Sequence, residues 1–515
     1  MLRRVLMITI SVALLAGCGG QSSAPMGQMM PGAPLAGAPV AILQPNTNKE
    51  LPEPPVVNSV HGVARVSLIV NLSRHTGFPQ FTYKGFNETA PTIRVNPGDT
   101  IAIDETDYLP PSAGDKYDIN IHFHGMGSTP HAPGDDVLGT LARSGQSLHY
   151  VVHIPKSQEP GLYWYHPHVH GVVNYQVGEG GMSGAIIVNG LERHFPPLAK
   201  MNQRVIVVRD TGTGEPAGGF DAMGMERFAP NVINNEPCGP EVGLITMING
   251  VYQPYITIAP GEKQFWRVIN ASGHKTLKLA VDGSQLKVYA IDGFALDTQP
   301  GTKPFTEPYA IIPPAARLEF VVTGPRNPLA KFRTLCYDTG PGGDRDPALV
   351  LARLKQPRHA PNEMSGMGPN APPEPLPSNA YTTPLPPIAA KRTVTFSEGN
   401  NHFFIDGRIF QMQEPPAVVV HVGTVEEWHI VNITEEVHDF HIHQIHFLVK
   451  EIDGVKLAHP YWADTQLIPH RANGKPGTLT LLMDFRDPII KGTFVFHCHI
   501  LDHEDRGMMA KIQAI

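Results

Sequence analysis

The chain has 515 residues, too many for a single hydrophobic core and enough for about three domains. Only 17% of the residues are charged, whereas 50 are glycine and 51 are proline, a composition that favours an all-β architecture with many turns over helical bundles. The formal net charge of −7, together with the lack of a long basic run in the sequence, argues against nucleic acid as a partner.

The first residues have the pattern of a secretion signal. Arg3 and Arg4 precede an apolar run that ends in Leu-Ala-Gly-Cys18. A cysteine at this place resembles the lipobox of bacterial lipoproteins, in which Cys18 becomes the N-terminus of the mature chain and carries lipid. The resemblance predicts a signal peptide over residues 1–17 and a lipid anchor to the cell envelope, on the outer membrane or the periplasmic face if the cell is Gram-negative. A plain apolar signal with an incidental cysteine is the alternative, and the arginines fit either a twin-arginine signal or an ordinary basic start.

Residues 18–58 are rich in proline, alanine, glycine, glutamine and asparagine and show little periodicity. A segment of this composition buries too little apolar surface to fold, so we expect a disordered tether. Met26, Met29 and Met30 lie in it, and their thioethers either bind Cu(I) weakly or have no special role. The first folded domain is therefore predicted to begin at residue 59.

Domain one, predicted over residues 59–199, contains two pairs of histidines with a single residue between the members of each pair. The pairs are His122-Phe-His124 and His166-Pro-His168. Alternate side chains of a strand share a face, so each pair can present two imidazoles to one site.

Domain two, predicted over residues 200–355, has strand patterns separated by Pro-Gly turns but no paired histidines. We therefore expect it to space the other two domains. A proline-rich linker is predicted over residues 356–390. Met364 and Met367 in this linker either bind Cu(I) or belong to a plain connection.

Domain three, predicted over residues 391–515, ends in the densest motif of the chain, Phe-His-Cys-His-Ile-Leu-Asp-His-Glu-Asp-Arg-Gly-Met, which follows a run of strand-forming residues. His497 and His499 share one face of this strand, whereas Cys498 points to the other. One strand then serves two sites. On the cysteine side, His503 and Met508 follow closely enough to approach the thiolate, and these are ligands of a blue-copper site that lacks only one more histidine.

Residues 438–443 read His-Asp-Phe-His-Ile-His and repeat this division between two faces. His441 and His443 share a face, whereas His438 lies on the opposite one and supplies the missing blue-copper ligand. The second site then collects four His-X-His pairs. Eight neutral imidazoles are too many for one ion and suit a cluster of about three copper ions. Zinc does not account for the pattern, because a structural zinc site needs neither the methionine nor eight further histidines.

These four motifs, in this order and spacing, resemble those of the three-domain multicopper oxidases of the laccase and bacterial cuprous-oxidase type. The resemblance extends from about residue 60 to the C-terminus. It implies an all-β fold of three cupredoxin-like Greek-key β-sandwich domains that hold four copper ions. Three weakly similar segments, at residues 99–103, 264–270 and 424–432, agree with a repeated unit.

The resemblance also implies which residues hold each ion. The implied ligands are His438, Cys498, His503 and Met508 for the type 1 copper, His122 and His441 for the type 2 copper, His124, His166 and His499 for one type 3 copper, and His168, His443 and His497 for the other. Domains one and three each supply four cluster histidines, so the cluster is expected at their interface. His170 and His446 are expected to orient ligands rather than to bind copper.

The resemblance implies a route for electrons and for protons. A small donor gives single electrons through the edge of His438, Cys498 passes them to the cluster, and dioxygen is reduced there to water. Glu504 resembles a family carboxylate that relays protons. A second acid is expected in the loop after the first histidine pair, where we choose Asp136 over its neighbour Asp135, the alternative being that the chosen residue only closes a turn.

Several classes of function remain open. The ligand set favours an oxidase acting on phenols and aromatic amines, or else on Cu(I), Fe(II) or Mn(II) in metal tolerance. A lipoprotein that holds copper without turnover is the alternative, and a structural protein is a weaker one. Cys238 and Cys336 remain after the other cysteines are assigned, and an oxidising compartment permits but does not require a disulfide between them. The sequence identifies neither the donor, the oligomeric state nor the export route.

Overall fold

The structure is a computed structural model, and it describes residues 46–515 except 75, 85–89, 112–115, 213–243, 298–301, 345 and 358–383. The predicted signal peptide, Cys18, most of the predicted tether and the methionines of the linker lie outside the described residues. Within the described part of the chain, no helix has both the length and the apolar character that a membrane span requires.

The described residues form 32 strands in six sheets, and the few helices are short. This confirms the predicted all-β fold. The sheets pair into three sandwiches, whose strands lie within residues 56–188, 202–355 and 388–514. We refer to them as the first, second and third sandwich.

The first sandwich holds the first two histidine pairs. Its strands are β1 (Val56–Asn58), β2 (Val63–Leu72), β3 (Pro79–Thr82), β4 (Thr92–Val95), β5 (Thr100–Asp107), β6 (His122–His124), β7 (Ser147–His153), β8 (Gly161–His166) and β9 (Gly184–Val188). A sheet of order β1-β4-β9-β8-β6 packs against a sheet of order β3-β2-β5-β7. Buried residues alternate with exposed ones along β2, so Ala64, Val66 and Leu68 point into the core between the sheets. A π-helix (Asn174–Glu179) connects β8 to β9, and the helix α1 (Leu191–His194) and a 3-10 helix (Pro196–Lys200) lead from β9 to the second sandwich.

The second sandwich carries no paired histidines. Its strands are β10 (Asn202–Gly212), β11 (Leu244–Ile248), β12 (Tyr255–Thr257), β13 (Lys263–Asn270), β14 (Leu277–Val281), β15 (Leu286–Ile291), β16 (Phe294–Ala295), β17 (Phe305–Glu307), β18 (Ala310–Ile312), β19 (Arg317–Thr323), β20 (Lys331–Leu335) and β21 (Leu349–Lys355). One sheet has the order β11-β10-β13-β19-β15-β16 with β17 beside β15, and the other has the order β12-β21-β20-β14-β18. Cys336, just after β20, is disulfide-bonded, whereas its candidate partner Cys238 lies outside the described residues.

The third sandwich holds the remaining histidine motifs. Its strands are β22 (Ile388–Gly399), β23 (His402–Ile405), β24 (Val418–Val420), β25 (Thr424–Asn432), β26 (His438–Ile442), β27 (Phe447–Ile452), β28 (Val455–Ala463), β29 (Thr465–Ile468), β30 (Gly477–Phe485), β31 (Gly492–Cys498) and β32 (Met509–Ala514). The sheets have the orders β23-β22-β25-β30-β27-β28 and β24-β32-β31-β26-β29. A 3-10 helix (Pro488–Ile490) precedes β31, and the helix α2 (Leu501–Asp505) follows it.

The three segments that are weakly similar in sequence occupy the same place in each sandwich. β5, β13 and β25 each pair in parallel with an earlier strand, β2, β10 or β22, and antiparallel with a later one, β7, β19 or β30. Trp266 and Trp428 also match, since each indole N–H donates to a side chain two residues earlier. The sequence repeat therefore corresponds to a structural repeat.

The prediction of a disordered tether is wrong for the last residues of this segment. Leu51 is only 3% exposed and packs in the core of the second sandwich, where its N–H donates to the carbonyl of Tyr255 at 2.8 Å. A few residues later, β1 pairs in parallel with β4 of the first sandwich. The few apolar side chains among the prolines are enough to bind this segment to both sandwiches.

We expect Leu51→Ala to destabilise the second sandwich by about 2–4 kcal/mol, because the substitution leaves a cavity in a packed core. Thermal unfolding followed by near-UV circular dichroism would measure the change. Val60→Ala is the control, since Val60 is 63% exposed and its truncation should leave unfolding unchanged. Equal transition temperatures for the two variants would contradict the packing of Leu51.

Candidate metal centre

All eight predicted cluster histidines meet at the boundary between the first and third sandwiches. Strand pairing sets their positions, because His122 is paired with His166 across β6 and β8, and His441 is paired with His497 across β26 and β31. The partner of each histidine in its His-X-His pair lies on the same face, two residues away. None of the eight side chains is more than 2% exposed.

Imidazole rings from the two sandwiches stack directly on each other. The ring centroids of His122 and His443 are 3.7 Å apart, and those of His124 and His441 are 3.9 Å apart, with nearly parallel planes in both pairs. The structure therefore brings together four residues from each end of the chain.

The ring nitrogens show whether these residues fit metal ions. On the outer side, His122 Nδ1 lies 3.0 Å from Asp135, His166 Nδ1 lies 2.8 Å from the carbonyl of Pro167, and His441 Nδ1 lies 2.8 Å from the carbonyl of Asp464. The opposite nitrogens, Nε2 in each of these rings, are buried and have no hydrogen-bond partner among the described residues. Burial holds the pKa of all three rings well below the usual value, so they are neutral. Buried lone pairs without donors are costly, and metal ions would satisfy them.

The donor atoms also group at distances that suit shared ions. In each of several sets of three residues, the donor atoms lie within 4.8 Å of one another. These sets are His168, His443 and His497; His122, His441 and His443; and His122, His124 and His166. Since the neutral nitrogens are of the type that copper prefers, the donor set fits copper at more than one position.

A second set lies on the other face of β31. The Sγ of Cys498 is 3.8 Å from both His438 Nδ1 and His503 Nδ1, which are 3.1 Å from each other. Met508 is fully buried, and its carbonyl accepts the N–H of Cys498 at 3.0 Å. The N–H of Asp439 points at Cys498 Sγ from 3.4 Å. One thiolate, two imidazoles and a neighbouring thioether fit a single blue-copper ion.

The predicted donor access through the edge of His438 does not agree with the structure. His438 is fully buried, and its outer nitrogen Nε2 lies 3.0 Å from the hydroxyl of Thr434. His503 is the more accessible ligand, at 3% exposed, with Phe403 stacked on its ring and Glu436 3.6 Å from its Nε2. The loop that carries Thr434 covers His438, and strand parity alone gives no information about that loop.

The predicted choice of Asp136 as the acid near the cluster is wrong, and its neighbour Asp135 holds that place. Both carboxylate oxygens of Asp135 lie 3.0 Å from His122 Nδ1, and burial raises its pKa to about 7. Asp136 instead accepts the N–H of Gly139 at 2.8 Å and closes a turn. Residues in a loop have no fixed alternation, so the sequence could not decide which of two adjacent acids points inward.

Glu504 lies at the cluster, as proposed from the sequence. Its Oε2 is 3.0 Å from His497 Nδ1, and its Oε1 is 3.4 Å from His168 Nε2. Burial alone would favour the neutral acid, but His497 and His168 hold the pKa of Glu504 at about 2. A fully buried carboxylate therefore contacts two cluster histidines.

Sequence reasoning missed three residues that hold the histidines in place. Gln444 donates from Nε2 to Asp135 at 3.0 Å, and Asp464 lies 3.0 Å from His124 Nε2. Arg317 donates to both oxygens of Asp464 at 2.6 Å. Only the glycine after His124 offered a signal, because it leaves room for this ion pair.

The two histidines that were expected to orient ligands differ in their contacts. His446 reaches Asp464 at 3.1 Å, whereas the ring of His170 packs against Phe410 with a centroid distance of 4.6 Å.

Comparisons with known proteins agree with this site. Two family models described as multicopper oxidase match residues 80–193 and 381–514. The chain is 23% identical to a multicopper oxidase of Staphylococcus aureus over 442 residues, covering 84% of this chain and 83% of the relative. It is also 23% identical to a laccase of Bacillus subtilis (strain 168) over 388 residues, covering 70% and 71% of the two chains.

Solved structures share the fold. A multicopper oxidase from Campylobacter jejuni, described as a metallo-oxidase, matches with a TM-score of 0.66 at 21% identity, over 92% of this chain and 98% of that one. A multicopper oxidase from the hyperthermophile Aquifex aeolicus matches with a TM-score of 0.65 at 19% identity, over 90% and 99% of the two chains. These similarities show that the three sandwiches are cupredoxin-like, as predicted.

We expect Asp135→Asn to weaken metal binding at the histidine cluster by about 10- to 100-fold. Both carboxylate oxygens of Asp135 face His122 Nδ1, whereas an amide has only one oxygen that can accept its proton. Competition with a copper chelator would measure the affinity. Asp136→Asn is the matched control and should bind metal like the unmodified protein. Weaker metal binding by Asp136→Asn than by Asp135→Asn would show that Asp136 is the acid that supports the cluster.

Proposed function

This chain belongs to the multicopper oxidase family and is an oxidoreductase, and from that premise we propose that it couples one-electron oxidation of a small donor to four-electron reduction of dioxygen to water. The observation that carries the proposal is the position of residues 497–499. His497 and His499 belong to the histidine cluster, whereas Cys498 between them belongs to the set with His438 and His503. A protein that only stored copper would have no need to join two different sites by one strand.

The residues present support one copper ion at the cysteine and three at the histidine cluster. We assign the type 1 copper to His438, Cys498, His503 and Met508, the type 2 copper to His122 and His441, one type 3 copper to His124, His166 and His499, and the other to His168, His443 and His497. The last of these sets has its donor atoms within 4.8 Å of one another, and so do His122 and His441 together with His443. When bound, copper would supply one-electron redox chemistry at the cysteine site and reduction of dioxygen at the cluster.

The chain itself connects the two sites by a short path. The peptide units on either side of Cys498 lead to His497 and His499, and the carbonyl of Cys498 lies 2.9 Å from His497 Nδ1. This contact adds a hydrogen bond to the covalent connection. An electron that arrives at the thiolate therefore reaches a cluster histidine without crossing solvent.

Two carboxylates at the cluster support different roles. Asp135 holds the proton on His122 Nδ1 and so turns the Nε2 lone pair inward. Glu504 lies on the side of His168 and His497, fully buried and ionised. We assign to Glu504 the role of taking up protons and passing them to dioxygen as it is reduced, and to Asp135 that of orienting a ligand.

The surroundings of His503 bear on the donor. Burial and the neighbouring Glu398 raise the pKa of Glu436 to about 9, so this acid stays protonated at neutral pH. A protonated acid 3.6 Å from the ring of His503 can hydrogen-bond a phenol or an aromatic amine. We therefore rank phenols and aromatic amines first.

Oxidation of Cu(I), Fe(II) or Mn(II) is the second candidate. Glu436 and its neighbour Glu398 would favour it if a metal ion displaced the proton of Glu436. The solved relative from Campylobacter jejuni, whose description as a metallo-oxidase applies to that protein, adds weight to this candidate.

The place of action is part of the proposal. The Leu-Ala-Gly-Cys18 sequence supports a lipid anchor on Cys18, which would hold the enzyme on the cell envelope of a bacterium, at the outer membrane or the periplasmic face. Mass spectrometry of the protein extracted from membranes would detect the lipid, and its loss in Cys18→Ser would identify the site.

We expect the copper-loaded protein to consume dioxygen with 2,6-dimethoxyphenol, at about four donor electrons per dioxygen, and Cys498→Ser to lose this uptake because serine cannot supply a soft thiolate. An oxygen electrode would follow the reaction. Protein loaded with zinc instead of copper serves as the control. If the fully copper-loaded protein consumed no dioxygen with phenols, Cu(I) or Fe(II), copper holding without turnover would become the better account.

A second experiment ranks the donors. Glu436→Gln replaces a protonated acid by its isostere, so kcat/KM for a phenol should change by less than about threefold, whereas a metal-ion donor that needs the carboxylate should lose tenfold or more, at roughly 1.4 kcal/mol per tenfold. The exposed neighbour Glu435 provides the control variant Glu435→Gln. A higher kcat/KM for Fe(II) than for the phenol in the unmodified protein, lost in Glu436→Gln, would reverse our ranking.

A further inference from the structure

The second sandwich supplies no predicted copper ligand, yet one of its side chains holds a carboxylate that contacts the cluster histidines. Arg317, the first residue of β19, donates from Nη1 and Nη2 to the two oxygens of Asp464, at 2.6 Å each. Neither side chain is more than 1% exposed. Paired hydrogen bonds of this kind constrain direction as well as distance, because the guanidinium and carboxylate groups are both planar.

Asp464 in turn contacts one cluster histidine from each outer sandwich. Its Oδ1 lies 3.0 Å from His124 Nε2, and its main-chain carbonyl lies 2.8 Å from His441 Nδ1. These two imidazoles stack on each other with ring centroids 3.9 Å apart. A single aspartate thus touches the outer edge of both rings.

The position of Asp464 is determined largely from the second sandwich. Asp292 accepts the N–H groups of Asp464 and Thr465 at 3.3 Å, and it also accepts the N–H of Arg317 at 2.7 Å. Arg317 Nε donates to the carbonyl of Leu162 in the first sandwich at 3.2 Å. Arg317 is therefore bonded to all three sandwiches at once.

The glycine that follows His124 makes this arrangement possible. Gly125 has a φ of +79°, and a Cβ at this position would lie 2.6 Å from Asp464 Oδ2 and would also collide with Arg317. Any larger residue would push the ion pair away from the histidine pair. The first histidine motif and the ion pair therefore fit together only with glycine between them.

We propose that Arg317 is a positioning residue for the copper cluster, and that by holding Asp464 it selects which ring nitrogen of His124 and of His441 faces the ions. This inference rests on the proposed three-copper cluster. With Nε2–H of His124 donated to Asp464, the Nδ1 lone pair of that ring points inward, and Nδ1 has no hydrogen-bond partner among the described residues. In His441 the two nitrogens exchange these roles. Its Nδ1–H donates to the carbonyl of Asp464, and its unpartnered Nε2 points inward.

A purely structural role is the competing explanation, because any buried ion pair between sandwiches affects folding. The chain offers a matched control in Arg267 on the adjacent strand β13. Arg267 is equally buried and pairs with Glu192 at 3.0 Å and with Glu319 at 3.2 Å, and Glu319 accepts the N–H of Leu162 at 3.0 Å. Arg267 is therefore linked to the first sandwich through Glu319, and none of these contacts involves Asp464 or a cluster histidine.

The test compares Arg317→Met with Arg267→Met in the full-length protein. Copper content and chelator competition report the affinity, electron paramagnetic resonance reports the type 2 copper, and the blue absorption band reports the type 1 site as an internal check of folding. We expect Arg317→Met to bind cluster copper about 10- to 100-fold more weakly and to change the type 2 signal while the blue band persists. Arg267→Met should lower thermal stability but keep full copper affinity and an unchanged type 2 signal.

Arg317→Lys covers the case in which Arg317→Met does not fold. Lysine keeps the charge but not the planar fork, so we expect it to restore part of the affinity and to leave the type 2 signal altered, whereas Arg267→Lys leaves that signal unchanged. Unaltered affinity and spectrum in the Arg317 variants would overturn the inference, as would equal losses in the Arg267 variants. Wild-type protein that holds no copper beyond the type 1 site would overturn the proposed function and this inference with it.

Discussion

The site depends on how eight imidazoles can be buried together. Each ring has two nitrogens, and in water both would be satisfied. Here the outer N–H groups of His122, His166 and His124 find acceptors in Asp135, the carbonyl of Pro167 and Asp464, while the inner lone pairs of these rings converge on one space. Positive ions in that space would stabilise the arrangement, because unpartnered buried acceptors and mutual repulsion of lone pairs both raise the free energy.

The same constraint explains why the three sandwiches contribute differently to the site. Strand pairing in the first and third sandwiches sets the spacing of the rings, since His122 faces His166 and His441 faces His497 across antiparallel ladders. Pairing within a sheet cannot fix the rotation of each ring. That rotation comes from side chains of neighbouring elements, and the second sandwich, with Arg317 and Asp292, contributes to it although it has no predicted ligand.

The features that could be predicted from the sequence are those that depend on strand alternation. The grouping of these side chains into two sets could be predicted because strands alternate with a period of two, so Cys498 had to point away from His497 and His499. Asp135, Asp464 and Arg317 could not, because their roles depend on contacts between loops and sandwiches that are distant in sequence and have no period. Leu51 shows the limit of composition, since one well-placed apolar side chain binds a proline-rich segment that composition alone assigns to a tether.

The placement of ligands at the two ends of the chain has a mechanical consequence. Copper bound between His168 and His443 would cross-link segments separated by the whole second sandwich, in the manner of a disulfide across a very long loop. In the chain-entropy model, closing a loop of this size raises the free energy of the unfolded chain by about 6 kcal/mol. Bound copper would then stabilise the folded state in addition to serving as a cofactor. Proteases would therefore degrade the protein more slowly where copper is plentiful than where it is scarce.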